Sequence, residues 1–213
     1  MKIVLNNILV KIPKTKRILF EIKRLEIAKG SRILIKGPSG IGKTTLLHLI
    51  AGLFAPDRGE IFIDDVNILK LSDNRISDFR RKHIGIIFQK LNLLDHLSVF
   101  ENVLLQLKKG KNTNKNILDA LENVNLKELS AEQSSDLSLG EQQRAAVARV
   151  LCMKPDIVLA DEPTSSLDDL NTDRIMKSIF ELPDDTTIIT VSHDHRIENK
   201  FHNVIEFNDL LKN

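Results

Sequence analysis

Apolar and polar residues alternate with period two from about Lys2 to Ile12 and again from Arg17 to Ile27. That period puts successive side chains on opposite faces of a strand, so the two stretches read as a strand pair. Arg32–Ile35 is a shorter apolar strand that runs straight into a Gly-rich turn. Lys43–Leu53 then shows apolar residues at helical spacing, with Leu46, Leu47, Leu49 and Ile50 as its core residues and Gly52 near its end as a stop signal. Further strands are predicted at Glu60–Asp64, Ile84–Phe88, Asp156–Ala160, Thr186–Val191 and near Val204–Phe207. Helices are predicted at Ser98–Leu107, Asn116–Val124, Gly140–Cys152 and near Asp168–Phe180. The basic run Arg80–Lys82 reads as a solvated helix face. Lys108–Lys115, KKGKNTNK, is the one linker-like stretch and reads as a solvated loop. Strands alternating with helices imply a mostly parallel sheet, and the leading strand pair implies an antiparallel layer beside it. No internal repeat interrupts this order.

Length and composition narrow the reading. At 213 residues the chain suits one larger domain, or a core with a small lobe, rather than two independent domains. Lys and Arg number 31 against 29 Asp and Glu, a net charge of +2, which argues against a nucleic-acid-binding face. The lone Cys152 allows no internal disulfide and fits a reducing, cytosolic setting. With one Cys and scattered His, no zinc site is expected. Residues 1–10 lack the features of a secretory signal. No apolar run approaches the roughly 20 residues of a membrane helix. A membrane role would therefore need another chain to cross the bilayer.

Gly37-Pro38-Ser39-Gly40-Ile41-Gly42-Lys43-Thr44 fits the pattern G-x-x-x-x-G-K-[ST]. Glycines let the backbone curl with its N–H groups turned inward around a phosphate. The helix starting near Gly42 adds its positive end. Lys43 would reach the β- and γ-phosphates, and the Thr44 hydroxyl would ligate Mg²⁺. With Gly at about 7% of residues, chance produces such a match in roughly one chain of this size in a hundred. A strand before it and a helix after it make chance a poorer account still. Downstream, Ile157–Ala160 is an apolar strand that ends in Asp161 and Glu162. Open α/β sheets bind ligands at that edge. Asp161 would hold Mg²⁺ through water. Glu162, pointing differently, would polarise the attacking water. An apolar run ending in two acids is a weak signal alone; its place after a phosphate loop strengthens it.

With these motifs in order, the chain resembles the ABC-family ATPases, and within them the branch of lipoprotein-releasing, macrolide-export and cell-division ATPases. The resemblance runs from about residue 30 to 207. The phosphate loop extends through Thr45. Gln89, at the end of IGIIFQ, matches the family's Q-loop glutamine, which contacts Mg²⁺ and faces the membrane subunit. Leu137-Ser138-Leu139-Gly140-Glu141-Gln142-Gln143-Arg144 matches the family signature, and Ser165-Ser166-Leu167-Asp168 its D-loop. His193, in TVSHD, matches the switch histidine, while His195 reads as surface. The signature opens a helix, so its N–H groups and the Ser138 hydroxyl make an anion site. The chain already has a phosphate loop for its own nucleotide. The resemblance implies that Ser138, Leu139, Gly140, Glu141 and Asp168 serve the γ-phosphate held by an opposite subunit, in a head-to-tail ATP-bound homodimer.

Two positions depart from the family. It usually has an aromatic residue, most often Tyr, to stack on adenine upstream of the phosphate loop, and this chain has no Tyr and no Trp. Either Ile12 or Phe20 would take that place. Leu139 stands where the signature typically has Gly, which is harmless only if φ there is negative.

The expected fold is an α/β P-loop NTPase core, a mostly parallel sheet with flanking helices, plus an antiparallel β layer and a small helical subdomain. Residues 1–213 are expected to form a single ABC nucleotide-binding domain, with the helical subdomain at about 92–155. The resemblance implies an ATPase that uses ATP and Mg²⁺, with Glu162 and His193 catalytic. Its partners would be a second copy and an integral membrane permease, placing it peripherally on the cytoplasmic face of the membrane. Transmembrane signalling or mechanical work without transport is the alternative. A soluble ABC ATPase of the repair or translation kind is a more distant one, because the coiled coils, zinc modules and doubled domains of those proteins are missing.

Overall fold

The structure, a computed structural model, describes residues 1–107 and 113–211. Its strands are β1 (Ile3–Lys11), β2 (Ile18–Ile27), β3 (Arg32–Lys36), β4 (Arg58–Ile63), β5 (Val66–Asn67), β6 (Ile84–Ile87), β7 (Ile157–Asp161), β8 (Thr187–Val191) and β9 (Asn203–Glu206). They form two sheets. One is antiparallel, in the order β2-β1-β4-β5. The other is parallel, in the order β6-β7-β8-β3-β9. Every residue of β7 and β8 is buried, the mark of parallel strands covered on both faces. In β1 the buried positions shift from Ile3 and Leu5 to Ile8 and Val10. The period of two slips there because Asn7 has φ 52 and the β1–β4 register breaks between Asn6 and Leu9.

The helices are α1 (Lys43–Ile50), α2 (Asp73–His83), α3 (Val99–Leu104), α4 (Thr113–Asn123), α5 (Leu139–Met153), α6 (Asp169–Phe180) and α7 (Phe207–Leu210). The parallel sheet divides the apolar core. Ile33, Ile35, Leu159, Ile189 and Val191 pack with α1 and the antiparallel sheet. Leu34, Val158, Ala160 and Ile188 pack with α3 to α6. Within that second layer α3, α4 and α5 also pack on one another.

Four local expectations change. α1 stops at Ile50, and Gly52 beyond it takes φ 62, the left-handed stop of a helix end. α2 is a full helix around Arg80–Lys82, yet none of its residues is buried, so no apolar stripe marks its extent. Thr113–Lys115 open α4 rather than a loop; residues 108–112 of that loop expectation lie outside the described residues. Phe207 starts α7, and its ring is core rather than strand end. Among the described residues, no helix is long and apolar enough to cross a membrane.

Candidate functional site

The C-terminal edges of β3, β6, β7 and β8 converge on one cleft of about 260 Å³. It is lined by Leu19, Ser39, Gly40, Gly42, Lys43, Thr44, Thr45, Gln89, Asp161, Glu162 and His193. Residues from five separate sequence segments thus meet where the topology of an open parallel sheet leaves room for a ligand.

The phosphate loop joins β3 to α1. Gly37, Gly40 and Gly42 all have positive φ. At Gly42 a second constraint acts: a Cβ there would lie 2.6 Å from Phe20 Cδ1. Phe20 is thereby explained. It is buried, and meets Phe207 edge-on at 5.5 Å between ring centroids. Phe20 wedges the start of α1 and offers no face to a base, which removes it as the adenine platform. Ile12, 38% exposed, instead lines a neighbouring cleft of about 580 Å³, opposite Phe54 at 39%. The two clefts share Leu19 and Thr45, so they adjoin. Lys43 Nζ donates to the carbonyls of Gly37 at 2.6 Å and Pro38 at 3.0 Å. Three donors on one ammonium leave it able to turn toward a phosphate seated in the loop.

Asp161 is the last residue of β7 and is buried. Burial pushes its carboxyl above the usual carboxylate range, and a hydrogen bond with Thr44 pulls against that shift. A divalent cation would relieve this cost. Among the described residues no group of three His, Cys, Asp or Glu side chains is placed to hold a metal alone. The donors present are the Thr44 hydroxyl, the Asp161 carboxylate and the Gln89 amide oxygen. They are hard oxygens, too few for a full shell, and they fit Mg²⁺ completed by phosphates and water.

Glu162 follows at φ 50, in the left-handed region. Sequence reading leaves its carboxylate free; in the structure both oxygens are engaged. Ser192 Oγ donates to Oε2 at 2.6 Å. Oε1 accepts the His193 N–H at 3.2 Å and lies 2.6 Å from His193 Nδ1. With Glu162 ionised, Nδ1 carries the proton. The His193 side chain is 71% exposed, so its ring remains open to a ligand. His195 is exposed at the surface.

The signature residues do not line this cleft. Ser138 is the N-cap of α5, and Leu139 lacks the positive φ that would strain it, so the Leu is accommodated by the helix start. The side chain of Leu139 is exposed. Glu141 folds back over the same end: Ser138 Oγ donates to Glu141 Oε2 at 2.6 Å, and the Ser138 N–H donates to it at 2.8 Å. Helix geometry leaves the Leu139 and Gly140 N–H groups without intrahelical acceptors. Asp168 caps α6, accepting the Asn171 N–H at 2.8 Å, which lowers its pKa. Sequence reading gave no role to Ser192 or to the Gln143 side chain. Ser192 lies in the TVSHD motif just after β8, and nothing in the motif tells what its hydroxyl holds.

Known proteins are similar to this chain over most of its length. The model of the ABC transporter family matches residues 21–165. An ABC transporter ATP-binding protein of Mycobacterium tuberculosis is 37% identical over 187 residues, which cover 85% of this chain and 57% of that protein. The chain thus spans little more than half the length of that relative. The lipoprotein-releasing system ATP-binding protein LolD of Bacteroides fragilis is 38% identical over 179 residues, covering 81% of this chain and 83% of LolD. A dimeric ATP-binding cassette solved in a post-hydrolysis state with ADP and Pi superposes with a TM-score of 0.89 at 32% identity, over 96% of this chain and 93% of that one. With the family model covering well over half of its residues, the chain belongs to the ABC transporter ATP-binding family.

Proposed function

We propose that the chain is a single nucleotide-binding domain, with a helical subdomain at about residues 92–155, that hydrolyses ATP with Mg²⁺ and powers a separate membrane permease. The observation that carries this reading is the single cleft where Lys43, Thr44, Gln89, Asp161, Glu162 and His193 meet. Gly37 to Thr45 cradle the phosphates, Thr44, Gln89 and Asp161 hold Mg²⁺, and Glu162 with His193 acts on the attacking water. The signature end of α5, outside that cleft, supports a homodimer in which Ser138, Leu139, Gly140, Glu141 and Asp168 complete the partner's site. An apolar groove lined by Leu53, Ile86, Phe88 and Leu105 and edged by Arg80 and Arg81 supports a protein partner at the membrane. The direct test is affinity purification from native membranes. Recovery of an integral membrane protein is expected, and recovery of only soluble partners would strike the permease. Genomic neighbours that encode a membrane protein without a translocation pathway would favour the signalling alternative.

The shared sites make a quantitative prediction. Lys43→Ala disables a subunit's own phosphate site, and Ser138→Arg disables the end it lends to its partner. A bulky cation at a helix N-terminus opposes the dipole as well as the phosphate. Each variant alone is expected to be inactive. After subunit exchange the mixture recovers at most about a quarter of wild-type hydrolysis, the value for independent sites, because half the dimers then hold one intact site of two. No recovery in verified mixed dimers would rule out sites built in trans.

The base site makes another. Ile12 offers an aliphatic platform, and aromatic stacking on a base is worth about 1–3 kcal/mol elsewhere. Stacking tolerates any base, and Ile12 carries no group that reads a base edge, so GTP is expected to turn over within about threefold of ATP in kcat/KM. Competition assays with the two nucleotides measure the ratio, and a strong ATP preference would show that a polar group reads the base edge.

A further inference from the structure

Glu162 has φ 50 although it is not glycine. Residues held in such conformations persist only where their surroundings over-determine them. Three main-chain contacts do so here. The Glu162 N–H donates to Val191 O at 2.9 Å, and the Ser165 N–H reaches Glu162 O at 3.4 Å. The third comes from another layer of the fold: Gln143 Nε2 donates to Glu162 O at 3.1 Å. Gln143 is a buried polar side chain on α5, five residues after the Ser138 cap.

The other end of the same amide is also used. Gln143 Oε1 accepts the Ser166 N–H at 3.1 Å. A backbone N–H only donates and a carbonyl only accepts, so the amide has one orientation and both of its partners are fixed. Arg196 holds the same loop from the opposite side, donating to Leu167 O at 2.9 Å, but it does not touch Glu162. Gln143 alone among these residues joins the signature helix, the Ser165–Asp168 loop and the strained backbone of Glu162.

We propose that Gln143 is a positioning residue that ties the signature end of α5 to the carboxylate of its own subunit's site. This rests on the ATPase reading above. A phosphate bound at Ser138 belongs to the partner's site, and α5 is a rigid rod between that phosphate and Gln143. Through Gln143 the occupancy of one composite site bears on the aim of Glu162 in the other. Among the described residues Gln143 hydrogen-bonds to Glu162 and Ser166 and Lys43 to Gly37 and Pro38, so Gln143 is expected to leave the nucleotide affinity of the single chain unchanged.

The test compares Gln143→Met, Gln143→Glu and Gln143→Asn in the whole chain. Met matches the length but bonds to neither partner. Glu keeps an acceptor for Ser166 and cannot donate to Glu162. Asn keeps the amide one carbon short of bridging both, and serves where Met does not fold. Mg²⁺-ATP hydrolysis, binding of a non-hydrolysable ATP analogue and thermal melting are measured on each. Expected is a fall of about tenfold or more in kcat, the scale of a buried hydrogen bond left unmade, with analogue affinity within about twofold of wild type. A wild-type kcat in Gln143→Glu overturns the tie to Glu162. Loss of affinity and melting temperature in step with kcat shows a packing role and overturns the proposal too. Wild-type hydrolysis insensitive to Lys43→Ala overturns the ATPase reading and this proposal with it, whereas sensitive hydrolysis with unaffected Gln143 variants removes this proposal alone.

Discussion

Lys43→Ala is expected to abolish ATP hydrolysis and to weaken ATP binding. Lys43 is the phosphate loop's own cation, and it sits buried at the first turn of α1 with its ammonium on the Gly37 and Pro38 carbonyls. A hydrogen bond to a charged group is worth about 1.5–3 kcal/mol, so affinity should fall roughly 10- to 150-fold. The rate should fall further, because the charge on the transferring phosphoryl oxygens grows in the transition state. Removing one preorganised donor at such a site typically costs about 10²–10³ in kcat. Fold is not at stake: Ala is the best helix former, and Gly37 is half-buried and Pro38 exposed, so water can replace the ammonium at their carbonyls. Phosphate release and calorimetric ATP titration on the same preparation check both effects. Hydrolysis within about threefold of wild type would remove Lys43, and with it the phosphate loop, from the mechanism.

Much of the architecture that places Lys43 is legible in the sequence. Strands such as β7 and β8 are unbroken apolar runs because both faces are covered, and a run of that kind stands out from any neighbour. The Gly-rich turn is legible because positive φ and a curled backbone select glycine. α2 has no readable boundary because Ile76 and Phe79, half-buried against the core, are its only apolar residues and are too few to set a period. The slip at Asn7 hides inside an alternating strand because it moves only the phase of the pattern. The site divides in the same way. Residues proposed to act on the ligand stand out as motif letters; Ser192 and Gln143 lie within motifs as well, but the motifs do not tell what their side chains hold. Ser192 and Gln143 reach Glu162 across 30 and 19 residues of sequence, and such contacts leave no periodic trace. Phe20 shows the converse error. Its aromatic ring suits a base, yet the backbone of Gly42 lies against it, and only the tertiary structure carries that fact.

Glu162→Gln is expected to stop turnover while leaving ATP bound. Phosphoryl transfer to water needs an oriented nucleophile as well as neutralised charge. In the proposed mechanism Lys43 and a bound Mg²⁺ would supply the neutralisation, and Asp161, hydrogen-bonded with Thr44, would help hold the metal. Glu162 is the remaining carboxylate of the cleft. General-base assistance contributes about 10²–10⁴ in rate, or roughly 3–5 kcal/mol of barrier. Gln keeps the shape. Its carbonyl oxygen takes the Oε1 place and accepts from the His193 N–H and Nδ1, and its amide donates to Ser192 Oγ once that hydroxyl turns. The left-handed backbone at this position is held by the main-chain contacts of Val191, Ser165 and Gln143, which the substitution leaves in place. What disappears is the basic oxygen and one negative charge beside the γ-phosphate. Less repulsion there favours the closed state, so the variant should accumulate as an ATP-bound dimer. Size-exclusion chromatography in Mg²⁺-ATP, beside a phosphate-release assay, reads both outcomes. A variant that stays monomeric yet hydrolyses within about threefold of wild type would leave Glu162 a structural residue, and the water would need another base.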